Sequence, residues 1–175
     1  AVGVIAWDEN DRIAVVRQYR HPVGFRLVEP PAGLLDADGE SWTSAAEREL
    51  AEEAGLKAGR WQVLVDMFTT PGACQETLRI YLARDLSGAP APDDFVAHHE
   101  EAHMDLCWAR RADLVDAILA GKLQNPTMVS GVLALEVARL SGRLDDLREA
   151  DASWPARTAW SGRNHLLAGL DGHAG

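Results

Sequence analysis

A chain of 175 residues is long enough for one domain with a sizeable hydrophobic core. Its 17 lysine and arginine residues against 27 aspartate and glutamate residues give a formal net charge of −10, which argues against nucleic acid and anionic membranes as partners. Two cysteines, no run of about 18 apolar residues and no signal-peptide pattern together predict a cytoplasmic protein without a disulfide framework.

The first elements predicted are two β-strands that form a hairpin. The runs VGVIAW (2–7) and RIAVVRQY (12–19) are rich in β-branched residues, and the polar segment DEND joins them. A short extended segment, RLVE (26–29), comes next. It is followed by Pro30 and Pro31, which a central strand would not tolerate. A long loop then leads into the first helix.

This helix is predicted from Ser44 to Ala54. Ser44 and Glu47 have the spacing of a capping box, and Gly55 suits the left-handed position that follows a last helical turn. Its apolar face is formed by Ala45, Ala46 and Leu50.

The rest of the chain reads as three more strands followed by two helices. The strands are WQVLVDMF (61–68), TLRIYLAR (77–84) and MDLCW (104–108), and the helices are 112–123 and 126–140. Asn125 is a plausible N-cap for the last helix, with Pro126 at its first position. The order predicts an α+β domain at 1–143 and a C-terminal tail at 144–175, packed on the domain or on a partner subunit.

The first helix carries an unusual concentration of negative charge. Glu49, Glu52 and Glu53 lie at i, i+3 and i+4, so their carboxylates share one face, and each like-charge pair costs a few tenths of a kcal/mol. A solvated surface is the ordinary interpretation of such a run. The alternative is that a cation neutralises the carboxylates.

A longer pattern favours the second interpretation, because nine residues fall in a fixed order around this helix: Gly33, Glu40, Arg48, Glu49, Leu50, Glu52, Glu53, Gly55 and Leu56. The pattern resembles the Nudix box, G-x5-E-x7-R-E-U-x-E-E-x-G-U, where U is apolar. Here six residues, not five, separate Gly33 from Glu40, and Gly39 could absorb the extra one. The resemblance implies an α/β/α Nudix sandwich, in which a mixed sheet is flanked by helices and carries the strand-loop-helix motif.

The resemblance also implies a site for Mg²⁺ or Mn²⁺ that screens the pyrophosphate of a nucleotide substrate. Glu49 and Glu53 would be the principal ligands, Glu53 being also a catalytic candidate. Glu52 and the backbone carbonyl of Ala32 would complete the ligand set. Arg48 would orient the carboxylates, and Gly33 would have a structural role.

Segments outside the box resemble the actinobacterial-type ADP-ribose pyrophosphatases, notably EPPAGLLD (29–36), VRQYRHPVG, TTPGACQE and NPTMVSGVLAL. The resemblance implies hydrolysis of ADP-ribose to AMP and ribose 5-phosphate, with substrate contacts from Arg20, Glu29, Gly72 and Glu76. Two alternatives stay open. One is a Nudix hydrolase of another nucleoside diphosphate sugar, and the other is a Nudix-fold sensor that binds a nucleotide without cleaving it.

The segment HEEAH (99–103) matches the H-E-x-x-H signature of zinc metalloproteases. That site needs a helix, whereas a Pro/Asp loop precedes this segment and a strand-like alternation follows it, so two histidines four residues apart would lie about 13 Å from each other. By resemblance the segment is instead a mobile loop that brings a general base to the attacking water. Glu100 and Glu101 are both candidates for that base.

The ends of the chain predict a homodimer. The chain opens directly on a strand, and its tail carries Trp154, Trp160 and Leu166 without an evident helix in the same chain to cover them. Exposed aromatic residues of this kind are typical anchors of an interface. By resemblance, an N-terminal sheet would exchange between the subunits.

Overall fold

The computed structural model describes residues 1–36, 39–89 and 105–160. Within these ranges the strands are β1 (Val2–Ala6), β2 (Arg12–Arg20), β3 (Phe25–Glu29), β4 (Ala32–Gly33), β5 (Leu56–Phe68), β6 (Thr77–Gly88), β7 (Asp105–Arg110) and β8 (Arg148–Glu149). The helices are α1 (Trp42–Ala54), α2 (Arg111–Leu119), α3 (Pro126–Leu140) and α4 (Pro155–Trp160). None of these helices combines the length and the apolar composition that crossing a membrane requires.

The strands form two sheets. The larger has the order β4-β1-β6-β5-β8, in which β1 and β6 run parallel and the other pairs run antiparallel. The smaller is antiparallel and has the order β3-β2-β7. The predicted hairpin of the first two strands is therefore wrong, because they lie in different sheets and share a single bridge, Trp7 to Ile13, among the described residues. Every residue of β1 is buried, so its apolar run carries no alternation that would specify a partner strand.

Helices cover both faces of the larger sheet. Along β1, Val2 and Val4 pack with the buried residues of α1, whereas Ile5 points to the opposite face and packs with α3. The side of α1 is formed by Ala45, Ala46 and Leu50, and the side of α3 by Met128, Val132 and Leu135. The core is thus divided in two by the sheet, which fixes the position of α1 relative to β4.

The N-cap of helix α1 lies three residues before the predicted cap. The hydroxyl of Ser41 accepts the N–H of Ser44 at 3.0 Å, so Ser41 is the N-cap and the predicted capping box at Ser44 is wrong. Trp42 and Thr43 are helical because tertiary contacts hold them: Trp42 packs on Trp154, and the Thr43 hydroxyl donates to the backbone of Ala150. The predicted end is confirmed, with Gly55 left-handed at φ 61°.

Helix α3 matches its prediction at both ends, and Asn125 caps it by accepting the N–H of Met128 at 2.8 Å. Two glycines let it approach the sheet closely. A side chain at Gly3 of β1 would collide with the methyl carbon of Thr127, and a Cβ at Gly131 would lie 2.6 Å from Ile5 Cγ1. The first turn of α3 is therefore held directly against β1.

Residues 148–154 pack on the domain. Strand β8 extends the larger sheet beside β5, and the Trp154 ring lies 5.6 Å from that of Trp42 and 6.1 Å from that of Phe68. The expectation that Trp154 lacks partners in its own chain is therefore wrong, because such contacts join positions more than eighty residues apart and leave no local pattern. The Trp160 side chain and Leu166 lie outside the described residues.

The same segment completes the surroundings of a buried arginine. The guanidinium of Arg79 is 5.7 Å from the centroids of both Trp42 and Trp154, and the residue is 2% exposed. It donates to both carboxylate oxygens of Asp66 and to the carbonyl of Ala152. Residues on both sides of position 143 therefore share one polar network.

Candidate active site

The acidic face of α1 lies on the backbone of β4. A side chain at Gly33 would overlap the carboxylate of Glu49, and its Cβ would stand only 2.7 Å from Oε2 of that residue. One turn further along α1, Oε2 of Glu53 accepts the N–H of Ala32 at 2.9 Å. Two of the predicted ligand carboxylates thus converge on the two residues of β4, one of which, Ala32, is itself a predicted ligand through its carbonyl.

Arg48 binds two carboxylates of this acidic face, those of Glu49 and Glu52. Its Nη1 donates to Oε1 of Glu49 at 2.7 Å and to Oε2 of Glu52 at 3.1 Å. Its Nε donates to Oε1 of Glu40 at 3.0 Å, and its Nη2 to the carbonyl of Leu34 at 2.9 Å. Hydrogen bonding to Glu40, supported by the charge of Glu49, raises the pKa of Arg48, so the guanidinium stays charged. These contacts fit the orienting role predicted for Arg48.

The position of Glu40 bears on the extra residue in the predicted motif. Despite that insertion, both carboxylate oxygens of Glu40 accept from Arg48. Gly39, directly before it, has φ 78°, a left-handed conformation that glycine adopts without the steric cost other residues pay. Residues 37 and 38 lie outside the described ranges.

Glu49 is the most buried member of the acidic face, at 8% exposure. Burial raises the pKa of its carboxyl group, and the neighbouring charge of Arg48 opposes that rise. A divalent cation beside the carboxylate would favour the charged form further. The described residues contain no group of three or more His, Cys, Asp or Glu side chains gathered around one point. Mg²⁺ is commonly held by one or two carboxylates together with substrate phosphates, so Glu49 and Glu53 above β4 fit it.

A cleft of about 340 Å³ extends from β4 to the start of α3. Its polar lining residues are Arg20, Glu29, Thr69, Glu76, Asn125 and Thr127, and Ala32 and Gly33 lie at its wall. The structure therefore brings three of the predicted substrate-binding residues together beside β4. Gly72 lies in an exposed turn between β5 and β6 and is not part of the described lining.

Two pairs organise the acidic side chains of the cleft. Arg20 donates to both carboxylate oxygens of Glu29, with the closest approach 2.7 Å from Nη2 to Oε2, and Glu29 is almost completely buried. The hydroxyl of Thr69 donates to Oε2 of Glu76 at 2.6 Å. Each carboxylate is held in one orientation, which is what a site that accepts hydrogen bonds from sugar hydroxyls requires.

Sequence reasoning missed Thr69 and Thr127 as cleft residues, and it identified Asn125 only as a cap. The Asn-Pro helix start was a usable signal, since it fixes where the first turn of α3 lies, but not what that turn faces. The candidates Glu100 and Glu101 lie outside the described residues, as does the rest of HEEAH.

Comparisons with known proteins agree with this geometry. The NUDIX domain profile matches residues 1–129. The ADP-ribose pyrophosphatase of Mycobacterium tuberculosis (strain ATCC 25618 / H37Rv) is 43% identical over 164 residues, which cover 93% of this chain and 77% of that protein. The ADP-ribose pyrophosphatase of Bacillus subtilis (strain 168) is 38% identical over 87 residues, which cover 50% of this chain and 46% of that protein.

Among solved structures, one described as the crystal structure of an ADP compounds hydrolase superposes with a TM-score of 0.66, over 82% of this chain and 75% of that chain. Its sequence is 23% identical, so this likeness concerns the fold alone. It confirms the predicted α+β architecture of a mixed sheet with flanking helices.

Proposed function

The chain belongs to the Nudix family, and on that premise we propose that it hydrolyses the pyrophosphate of ADP-ribose to AMP and ribose 5-phosphate. One observation carries the proposal: the acidic face of α1, held by Arg48 and seated on β4, borders a polar cleft that can hold the substrate. The names of two relatives, both ADP-ribose pyrophosphatases, supply the substrate. The Nudix-fold sensor is less well supported, because a protein that only binds nucleotide has no need for this carboxylate arrangement.

The first group of proposed site residues binds and positions the metal ion. Glu49 and Glu53, with Glu52 and the Ala32 carbonyl, would hold Mg²⁺ or Mn²⁺. When bound, the cation screens the negative charge of the pyrophosphate and lowers the pKa of attacking water. Arg48 keeps Glu49 and Glu52 oriented before the cation arrives.

The remaining roles concern substrate binding and proton transfer. Arg20 would bind phosphate oxygens in the cleft, and Glu29 and Glu76 would accept hydrogen bonds from ribose hydroxyls. Gly72, in the turn between β5 and β6, would contact the substrate from outside the described lining. Glu100 or Glu101 would take the proton from the attacking water as general base.

A substrate panel tests the proposal. With Mg²⁺ present, we expect kcat/KM for ADP-ribose to exceed that for ADP-glucose and for GDP-mannose by at least about tenfold, because a cleft that fits a pentose linked through C5 should fit a hexose linked through its anomeric carbon less well. Release of AMP and ribose 5-phosphate is the measurement. Faster turnover of either other sugar nucleotide would assign a different substrate. Nucleotide binding without AMP release at any metal concentration would restore the sensor.

We also propose that the protein is a cytoplasmic homodimer. The two cysteines are unpaired and exposed, which suits a reducing compartment. Phe25, Leu106 and Trp108 lie exposed on one face of the smaller sheet, where a second copy of the chain could cover them. Light scattering should give about twice the 19.0 kDa of one chain, and dilution to monomer should weaken ADP-ribose binding. A monomer with unchanged KM would refute the dimer.

A further inference from the structure

Thr127 is a buried residue whose hydroxyl has no partner. It is 9% exposed, lines the cleft, and belongs to the first turn of α3. No side chain or backbone group of the described residues hydrogen-bonds its oxygen. Because its methyl carbon packs against Gly3, the tetrahedral Cβ directs the hydroxyl to another side, where the cleft lies. Among the described residues its oxygen is not one of the fully buried side-chain atoms that lack a partner, so it keeps accessible surface in the cleft, where a ligand can donate to it or accept from it.

The first turn of α3 adds a second polar group beside the Thr127 hydroxyl. Pro126 has no N–H, and Asn125 occupies the N–H of Met128, so the N–H of Thr127 is the donor that the first turn leaves open. The carboxylate of Glu76 lines the same cleft as an acceptor. A hydroxyl, an N–H and a carboxylate together suit a group that both donates and accepts, as a sugar hydroxyl does.

The lining of the cleft distinguishes between the two halves of the substrate. The described lining residues include no aromatic side chain on which adenine could stack. Ala32 and Gly33, beside the proposed metal position, form one wall, so the region between them and Thr127 adjoins the reacting phosphates. This region therefore suits the hydroxyl-rich ribose phosphate better than the adenosine.

We infer that Thr127 is a substrate-specificity residue whose hydroxyl hydrogen-bonds the ribose that leaves as ribose 5-phosphate. The inference rests on the proposed function. It assigns a role to a residue outside the Nudix motif, carried by a helix that follows the matched carboxylates by more than seventy positions.

Binding of the two products tests it. Thr127→Val keeps the branched shape and removes the hydroxyl, so the Kd of ribose 5-phosphate, measured by calorimetry with Mg²⁺ present, should rise about fivefold to tenfold, as expected for one neutral hydrogen bond. The Kd of AMP should stay within about twofold. Thr127→Ser keeps the hydroxyl and loses the methyl contact with Gly3, and it should bind ribose 5-phosphate like the wild type.

Thr77→Val is the matched control. Thr77 is also a buried threonine without a hydroxyl partner in the described structure, but it lies in β6 outside the cleft lining, so its replacement should change neither Kd. The inference is overturned if Thr127→Val leaves ribose 5-phosphate binding unchanged, if it weakens AMP equally, or if Thr127→Ser is the weaker binder, which would indicate packing. Absence of ADP-ribose hydrolysis by the wild type would instead refute the proposed function.

Discussion

Replacing Glu53 by glutamine should lower kcat for ADP-ribose by about 10²-fold or more at saturating Mg²⁺. The amide keeps the size of the side chain and its carbonyl can still accept the N–H of Ala32, so the fold should persist. What is lost is one negative charge of the proposed metal site. Steady-state kinetics over a range of Mg²⁺ concentrations, with circular dichroism as a check on folding, measure both effects.

Glu47→Gln is the control for this substitution, because Glu47 belongs to the same helix but is exposed, and among the described residues it is Glu53 and not Glu47 that accepts the N–H of Ala32. It should retain wild-type kcat. Near-normal turnover of Glu53→Gln at limiting Mg²⁺ would remove Glu53 from the ligand set.

In the same assay Glu100→Gln and Glu101→Gln should differ sharply in kcat, since only one of two adjacent side chains would reach the attacking water.

Gly33→Ala should be comparably damaging, although it adds a single carbon. The new Cβ would occupy the space of the Glu49 carboxylate, which has little room to retreat because α1 packs on the sheet through Leu50 and Arg48 holds Oε1. We expect a loss of kcat/KM on the order of 10²-fold, since displacement of a positioning group by about 1 Å can have that effect. Mg²⁺ affinity, measured by titration, should fall in parallel.

Gly88→Ala provides the comparison, because a Cβ at Gly88 meets nothing within 4 Å and lies at the end of β6. Its kinetics and metal affinity should match those of the wild type. If Gly33→Ala binds Mg²⁺ normally and turns over ADP-ribose at the wild-type rate, cation binding does not depend on the position of the Glu49 carboxylate.

The parts of the fold that the sequence predicted are those with local causes. The Asn-Pro start of α3 and the glycine end of α1 depend on the residues at the boundary itself, and both predictions are confirmed. The acidic face of α1 was likewise predictable from the sequence, because helical periodicity alone places Glu49 and Glu53 on one side of the helix. That both carboxylates would lie against β4 was implied only by the resemblance to the Nudix box.

The predictions that failed depend on distant parts of the chain. Strand β1 is buried on both faces, so nothing in its residues distinguishes β2 from β6 as a partner. Ser41 and Ser44 are equally good caps by type, and the choice was made by packing against Trp154. Thr127 lies in the cleft because the first turn of α3 packs closely on Gly3, and no pattern within α3 could indicate that contact.

The arginine between two tryptophans links parts of the chain that are far apart in sequence. Arg79 and Trp42 belong to the stretch matched by the family profile, whereas Trp154 and the Ala152 carbonyl lie beyond it. A buried guanidinium that loses part of its surroundings is costly. A chimera that joins the first 140 residues to the tail of a relative would therefore need that tail to supply an aromatic ring and a backbone carbonyl in contact with Arg79.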